Sequence, residues 1–142
     1  MRKDLDLAEN YPAGVTVAPA AGSLDSGWVP AIGTKLHCVI AVDATDEDIT
    51  ITPNQATAAA GTGAKALNVH RVHVKTGTAT VFTRTDVGAA TYVYQPGANK
   101  GLLIVECDIA EMDVNNGFNH VRFALTGSTG RVQSIVVLPA GT

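Results

Sequence analysis

LLIVECDIAEMDVNNGFNHVRFAL, residues 102–125, is the stretch that decides the fold. Apolar residues recur at every second position in both halves of it. They are Leu103, Val105, Cys107 and Ile109 in the first half, then Val121, Phe123 and Leu125 in the second. A period of two places each set on one face of a half-buried strand. Residues 115–117, Asn-Asn-Gly, favour a reversal, while residues 110–114 make the connection wider than a two-residue hairpin. The stretch predicts two strands with a broad connection between them.

Short runs of the same kind, separated by turn residues, recur along the chain. They cover residues 36–42, 49–52, 67–75, 79–84, 91–95, 102–109, 121–125 and 131–138. Roughly eight strands at this spacing are typical of a sandwich or barrel. We predict one all-β domain, residues 23–142, folded as an antiparallel, jelly-roll-like β-sandwich.

Two runs indicate their place in the sheet. Residues 36–42 are apolar in both phases, which predicts a central strand. In residues 67–75 the apolar phase changes, which predicts a β-bulge near His70 and Arg71.

Residues in the second half of the chain predict where several strands end. A turn at residues 86–88 is expected to separate the strand at 79–84 from that at 91–95, where Tyr92 and Tyr94 share a face. Pro139 is expected to end the last strand.

Residues 1–22 contain prolines and glycines among small residues and show no sustained period, apart from an expected short strand at residues 15–17. We predict an extended N-terminal arm. Such an arm is either disordered in the free protein or ordered by crossing onto a neighbouring subunit.

Composition narrows the class of protein. Among the 142 residues 46% are hydrophobic and 16% are charged, a charged fraction that suits a protein living in an assembly. The net charge is −3 and the ten basic residues are spread thinly, which argues against nucleic-acid binding. No signal-peptide core and no apolar run near 18 residues is present, so we expect folding in a reducing cytoplasm without membrane association.

The candidate metal ligands have unsuitable spacing. His70 and His73 are three apart on a strand and point to opposite faces unless a bulge intervenes. Two acidic groups hold the oxygen ligands that calcium prefers, but neither matches an EF-hand loop. These groups are Asp43, Asp46, Glu47 and Asp48, and Asp108, Glu111 and Asp113.

No residue pattern indicates catalysis. The loop GTGAKA, residues 61–66, lacks the Gly-Lys-Ser/Thr of a P-loop and precedes a strand rather than a helix. Cys38 and Cys107 occupy apolar strand phases and are expected to be buried free thiols, with a disulfide open if their strands are neighbours. We therefore expect no enzyme activity, no cofactor and no metal.

Two stretches resemble a known group of proteins. Residues 48–67, DITITPNQATAAAGTGAKAL, resemble a segment that recurs in small structural proteins of tailed bacteriophages. Residues 102–123 are similar to a second segment of those proteins, and residues 133–138 fit as well. The positions that match in the second segment are Glu106, Asp108, Asp113, Val114, Gly117, Phe118 and Val121. The resemblance covers more than half of the chain and excludes the residues before Gly27.

The resemblance implies a virion protein, most simply a head decoration or cement protein that binds the major capsid protein and further copies of itself. It would then lie on the capsid surface after assembly in the host cytoplasm. A tail or head–tail connector subunit and a carbohydrate-binding module on the particle are the alternatives. The candidate contacts are Leu5, Leu7, Tyr11, Val15, Val17, Trp28, Tyr92 and Tyr94. Four aliphatic residues either join that contact surface or fill the core, namely Leu102, Ile104, Ile135 and Val137.

Overall fold

The computed structural model describes residues 22–140, which form two antiparallel sheets packed face to face. The predicted all-β sandwich is confirmed. The strands are β1 (Gly22–Asp25), β2 (Val29–Pro30), β3 (Lys35–Thr45), β4 (Ile49–Ala56), β5 (Lys65–Ala66), β6 (Val69–Thr76), β7 (Thr83–Ala89), β8 (Tyr92–Tyr94), β9 (Asn99–Asp108), β10 (His120–Gly127) and β11 (Val132–Ala140). The helices of residues 22–140 are three short 3-10 helices, and none of them is long and apolar enough to cross a membrane.

The chain passes repeatedly between the two sheets. One sheet has the order β11-β3-β9-β6-β7 and is called here the five-stranded sheet. The other has the order β1-β10-β4-β5, with β2 beside β10 and β8 beside β4, and is called the second sheet. Consecutive strands such as β3 and β4, or β9 and β10, therefore lie in opposite layers.

The stretch at residues 102–125 contributes one strand to each layer. Leu103 and Val105 of β9 face the core from the five-stranded sheet, while Phe123 and Leu125 of β10 face it from the second sheet. Two 3-10 turns, Ile109–Glu111 and Val114–Asn116, carry the chain across. Gly117 then takes a φ of 83°, in the left-handed region that glycine tolerates. The predicted wide connection is confirmed.

Strand β3 lies between β11 and β9, as its two apolar phases predicted. Its Cys38 stands opposite Val105, and Leu36 stands opposite Cys107, so the two cysteines are offset by two residues on neighbouring strands. Both are buried free thiols, which leaves the alternative of a disulfide unrealised. Burial raises the pKa of each thiol, and a protonated thiol is a poor nucleophile.

The expected irregularity in β6 is present. The register shifts between Val69, opposite Ala89, and Arg71, opposite Asp86. The buried positions of β6 are Val69 and Val72, three residues apart, which is the phase change seen in the sequence.

Three predicted boundaries were wrong. The strand expected at residues 79–84 begins only at Thr83, and the turn expected at residues 86–88 lies inside β7. The reason is that Asp86 pairs across the sheet with Arg71 and is held there by its side chain. Pro139 does not end the last strand, because β11 is an edge strand and an edge tolerates a residue without an N–H.

Replacing Gly101 by alanine is expected to destabilise the sandwich. A Cβ at this position on β9 would overlap the hydroxyl of Tyr94 and lie 2.7 Å from its Cζ. Tyr94 is 2% exposed and cannot move aside without disturbing the core, so we expect a loss of about 1–3 kcal/mol in unfolding free energy. Urea denaturation measures this loss. Gly130→Ala is the matched control, because no atom lies within 4 Å of its Cβ. Equal midpoints for the two variants would contradict the expected overlap.

Candidate binding face

The two sheets present very different surfaces to their surroundings. The outer face of the second sheet is mostly polar. Its outward residues on β4, β8 and β10 are Thr50, Thr52, Asn54, Val93, Arg122, Ala124 and Thr126. The outer face of the five-stranded sheet carries a group of aliphatic side chains that we call the apolar face. It consists of Val39, Ala41, Leu102, Ile104, Val136 and Leu138.

Strand register makes this group continuous. Val136, Val39 and Ile104 stand directly opposite one another on β11, β3 and β9 and so form a row across three strands. Ala41 and Leu102 are the next opposed pair on the same face. On β3 and β9 the residues of this face belong to the second apolar phase of each strand, because the first phase fills the core.

A charged cluster borders the apolar face. Its centre is Glu106, which is 4% exposed although it points away from the core. Lys35 Nζ donates to Glu106 Oε1 at 2.9 Å, and His37 Nε2 lies 3.2 Å from Oε2. Arg71 Nη1 approaches Oε1 to 3.7 Å from the other side. Three basic side chains from the two strands that flank β9 thus cover one carboxylate.

The net effect of this cluster is to hold Glu106 ionised. Burial raises the pKa of the Glu106 carboxyl, but the hydrogen bonds and charges of Lys35 and His37 outweigh burial and lower it overall. Arg71 also donates through Nε to Asp86 Oδ1 at 2.7 Å, and that hydrogen bond lowers the pKa of Asp86. The ionised carboxylate and its three basic partners give the apolar face a charged border.

The structure separates the predicted contact residues. Leu5, Leu7, Tyr11, Val15 and Val17, like the expected short strand at residues 15–17, lie outside the described residues. Of the four aliphatic residues left open by the sequence, Leu102 and Ile104 belong to the apolar face, whereas Ile135 and Val137 are buried in the core.

The aromatic candidates are largely enclosed. Tyr94 is buried and offers no surface in the folded domain, whereas Tyr92 on the same strand is half-buried. The Trp28 ring is covered by the guanidinium of Arg122, whose Cζ lies 4.8 Å from the ring centroid. Gly61 abuts the edge of the indole, since a Cβ there would lie 2.6 Å from Nε1. None of these rings lies on the apolar face.

The candidate ligand groups are engaged in ordinary contacts. His70 Nδ1 lies 3.1 Å from Glu111 Oε1. Lys65 of the glycine-rich loop pairs with Asp113 and lies 4.2 Å from the centroid of the Phe118 ring. Within residues 22–140 no three His, Cys, Asp or Glu side chains are grouped so that they could hold a metal ion.

The acidic turn after β3 lines a surface depression. Asp46 and Glu47 share it with Arg131, and its volume is about 400 Å³. Its lining is polar, and no side chains converge there in a way that indicates a ligand.

Comparison with known proteins gives only distant likenesses. No family model matches the sequence, and no curated protein matches it. Among solved structures the chain resembles Aeromonas hydrophila PliG, a periplasmic lysozyme inhibitor of g-type lysozyme. The TM-score is 0.39 and the identity 17%, over 80% of this chain and 92% of that one. A family two carbohydrate esterase from Cellvibrio japonicus has a TM-score of 0.27 and 13% identity, over 92% of this chain and 36% of that chain. FlhE has a TM-score of 0.27 and 11% identity, over 90% of this chain and 91% of that chain. Scores this low carry no functional argument.

Replacing Glu106 by glutamine is expected to lower stability at neutral pH. The folded-state pKa of Glu106 is below its ordinary value, so its ion pairs stabilise the fold above that value and are lost as pH falls through the lowered pKa. We expect a deficit of about 1–3 kcal/mol at pH 7 that shrinks as the pH drops below the ordinary glutamate pKa of about 4.3. Urea denaturation at a series of pH values measures the difference. Glu111→Gln, whose carboxylate pairs with His70 at the surface, serves as control and should cost less than about 1 kcal/mol. A deficit for Glu106→Gln that does not change with pH would refute this role.

Proposed function

We propose that this protein is a non-catalytic structural component of a tailed-phage virion, most simply a head decoration protein that binds the major capsid protein. The resemblance of residues 48–67 and 102–123 to small phage structural proteins supports a role in a phage virion. The apolar face supports a binding role, and it is the observation that carries the proposal.

The composition of the apolar face suits a protein contact. Burying aliphatic surface gains about 25 cal/mol per Å². Interface cores are depleted in charge and ringed by polar residues, which matches an aliphatic row bordered by Lys35, His37 and Arg71. The outer face of the second sheet differs from the apolar face of the same domain, because its side chains are mostly polar and suit contact with water.

A decoration role requires only weak binding by each single copy. A protein that binds a preformed shell at many equivalent positions gains avidity from repeated weak contacts. The candidate arm contacts Leu5, Leu7, Tyr11, Val15 and Val17 would add to those of the apolar face. The buried, protonated thiols of Cys38 and Cys107 fit a passive role.

Cryo-electron microscopy of the particle that carries this protein tests the assignment. We expect density of this size repeated over the capsid lattice, with the five-stranded sheet turned towards the major capsid protein. Density confined to one vertex or to the tail would refute decoration and favour the connector or tail alternative. Absence from the particle would refute a virion role altogether.

Removing two aliphatic side chains from the apolar face is expected to weaken capsid binding. Val136→Ser/Leu138→Ser alters only edge strand β11, where Leu138 is 37% exposed, so the fold should persist. At about 1.5 kcal/mol or more per buried side chain, affinity for purified capsids should fall more than about tenfold. Co-sedimentation with undecorated capsids measures the affinity, and the melting temperature checks the fold. The control is Thr50→Ser/Thr52→Ser on the outer face of the second sheet, which should bind like the natural protein. Unchanged binding by the β11 variant would exclude the apolar face as the contact.

A further inference from the structure

We infer that the outer edge of β11 is a contact surface for a second copy of this chain, which pairs with it in the antiparallel direction through its own β11. The two five-stranded sheets then join into one continuous sheet. The inference concerns the isolated protein and does not rest on the proposed function. It commits to one partner, because a two-fold axis makes the same edge its own complement.

The edges of the sandwich differ in how they are protected. A sheet edge exposes unpaired N–H and C=O groups, and natural proteins protect it by making it short or charged. Among residues 22–140, edge strand β7 carries Arg84 and Asp86, whereas β1, β2, β5 and β8 have four residues or fewer. Strand β11 has nine residues and no charged side chain. It is therefore the long edge that neither device protects in this part of the chain.

Hydrogen bonding at the start of β3 shows which backbone groups of β11 face away from the sheet. The Ile109 N–H donates to the Thr34 carbonyl at 3.0 Å, so this carbonyl faces β9. Backbone directions alternate along paired strands, and the register then turns the backbone groups of Val136 towards β3. The backbone groups of its neighbours Ile135 and Val137 therefore point outwards.

Two features bound the regular part of this edge. The register with β3 shifts between Val132 and Ser134, which places an irregularity at one end. Pro139 belongs to the outward-facing set at the other end and has no N–H to donate. The regular edge between them is residues 134–138, and Val136 lies at its centre.

Pairing about Val136 lets two copies of this edge satisfy one another. Ile135 of each copy then stands opposite Val137 of the other, which gives four N–H···O bonds. The two Val136 side chains meet on the outer face, so the aliphatic row of one copy continues into that of the next. Both apolar faces lie on the same side of the joined sheet and stay uncovered by the contact.

The charges near the two ends of β11 are complementary. Lys35 of β3 lies at the end where β11 finishes. Arg131 precedes the other end and shares a depression with Asp46 and Glu47, so acidic groups outnumber basic ones there. Antiparallel pairing brings the basic end of one copy to the acidic end of the other, an arrangement that favours this partner and this direction.

The contact is short, and its size sets its strength. Five paired residues give a strip about 17 Å long and about 10 Å deep. This strip is far smaller than the roughly 800 Å² that each partner buries in a standard interface. We therefore expect a weak dimer whose population rises with protein concentration.

Disulfide trapping of the full-length protein tests the inference. Val136→Cys places two thiols across the proposed axis with Cα atoms about 4.5 Å apart, which is within disulfide reach. Ile104→Cys is the matched control on the same face, because five strand spacings would separate its two copies by about 24 Å. The natural protein, whose own thiols are buried, supplies the background.

In a glutathione redox buffer at high protein concentration, we expect Val136→Cys to shift from the mass of one chain to that of two. Ile104→Cys and the natural protein should remain at the mass of one chain. The melting temperature checks that each variant is folded. Equal dimer yields from the two variants would indicate stacked faces or random collision and would overturn the inference, as would the absence of dimer from Val136→Cys.

A mixture of two further variants tests the register. Ser134→Cys of one copy would stand opposite Leu138→Cys of the other, whereas either variant alone would offset its two thiols by four residues, about 13 Å. We expect the mixed dimer to be the main crosslinked product by mass. A statistical mixture of mixed dimers and self-dimers, or no crosslinked product, would overturn the proposed pairing. Because no capsid is present, this inference and the capsid-binding proposal can each fail without the other.

Discussion

Strands β3 and β9 pair along most of their length, and both carry apolar side chains on each face. Because the two strands pair at the middle of a sheet, one apolar phase of each strand is buried in the core. This phase includes Leu36, Cys38, Leu103 and Val105. The core then fixes the position of the second sheet. The same pairing forces the other phase outwards, so the apolar core of the five-stranded sheet and its aliphatic outer row are two results of one sequence pattern.

Much of the fold could be predicted because a period of two is a local signal. It located β3, β9 and β10 and indicated the irregularity in β6. The strand ends were harder to place, since they depend on cross-strand partners. Asp86 is a residue type typical of turns, but it pairs across the sheet with Arg71 and so lies within β7. Strand β11 continues past Pro139 because nothing pairs with its outer edge among the described residues.

The candidate face could be predicted only in part. Leu102 and Ile104 stood out as a second apolar phase, but so did Ile135 and Val137, which the register places in the core. The cluster around Glu106 was missed entirely. Its members are distant in sequence, since Lys35 and Glu106 are 71 positions apart, and only the register of β3, β9 and β6 brings them together. A lone glutamate in an apolar strand phase was the one available signal.

The two buried thiols have a consequence for the chemical ageing of the protein. Cys38 and Cys107 are enclosed between the layers, and burial keeps them protonated. Oxidants attack thiolates that solvent can reach, so these sulfurs react only when the sandwich opens. Oxidation of these two thiols is therefore limited by the rate of opening of the core. Their protection under oxidising conditions follows from packing, without a disulfide to form or to lose.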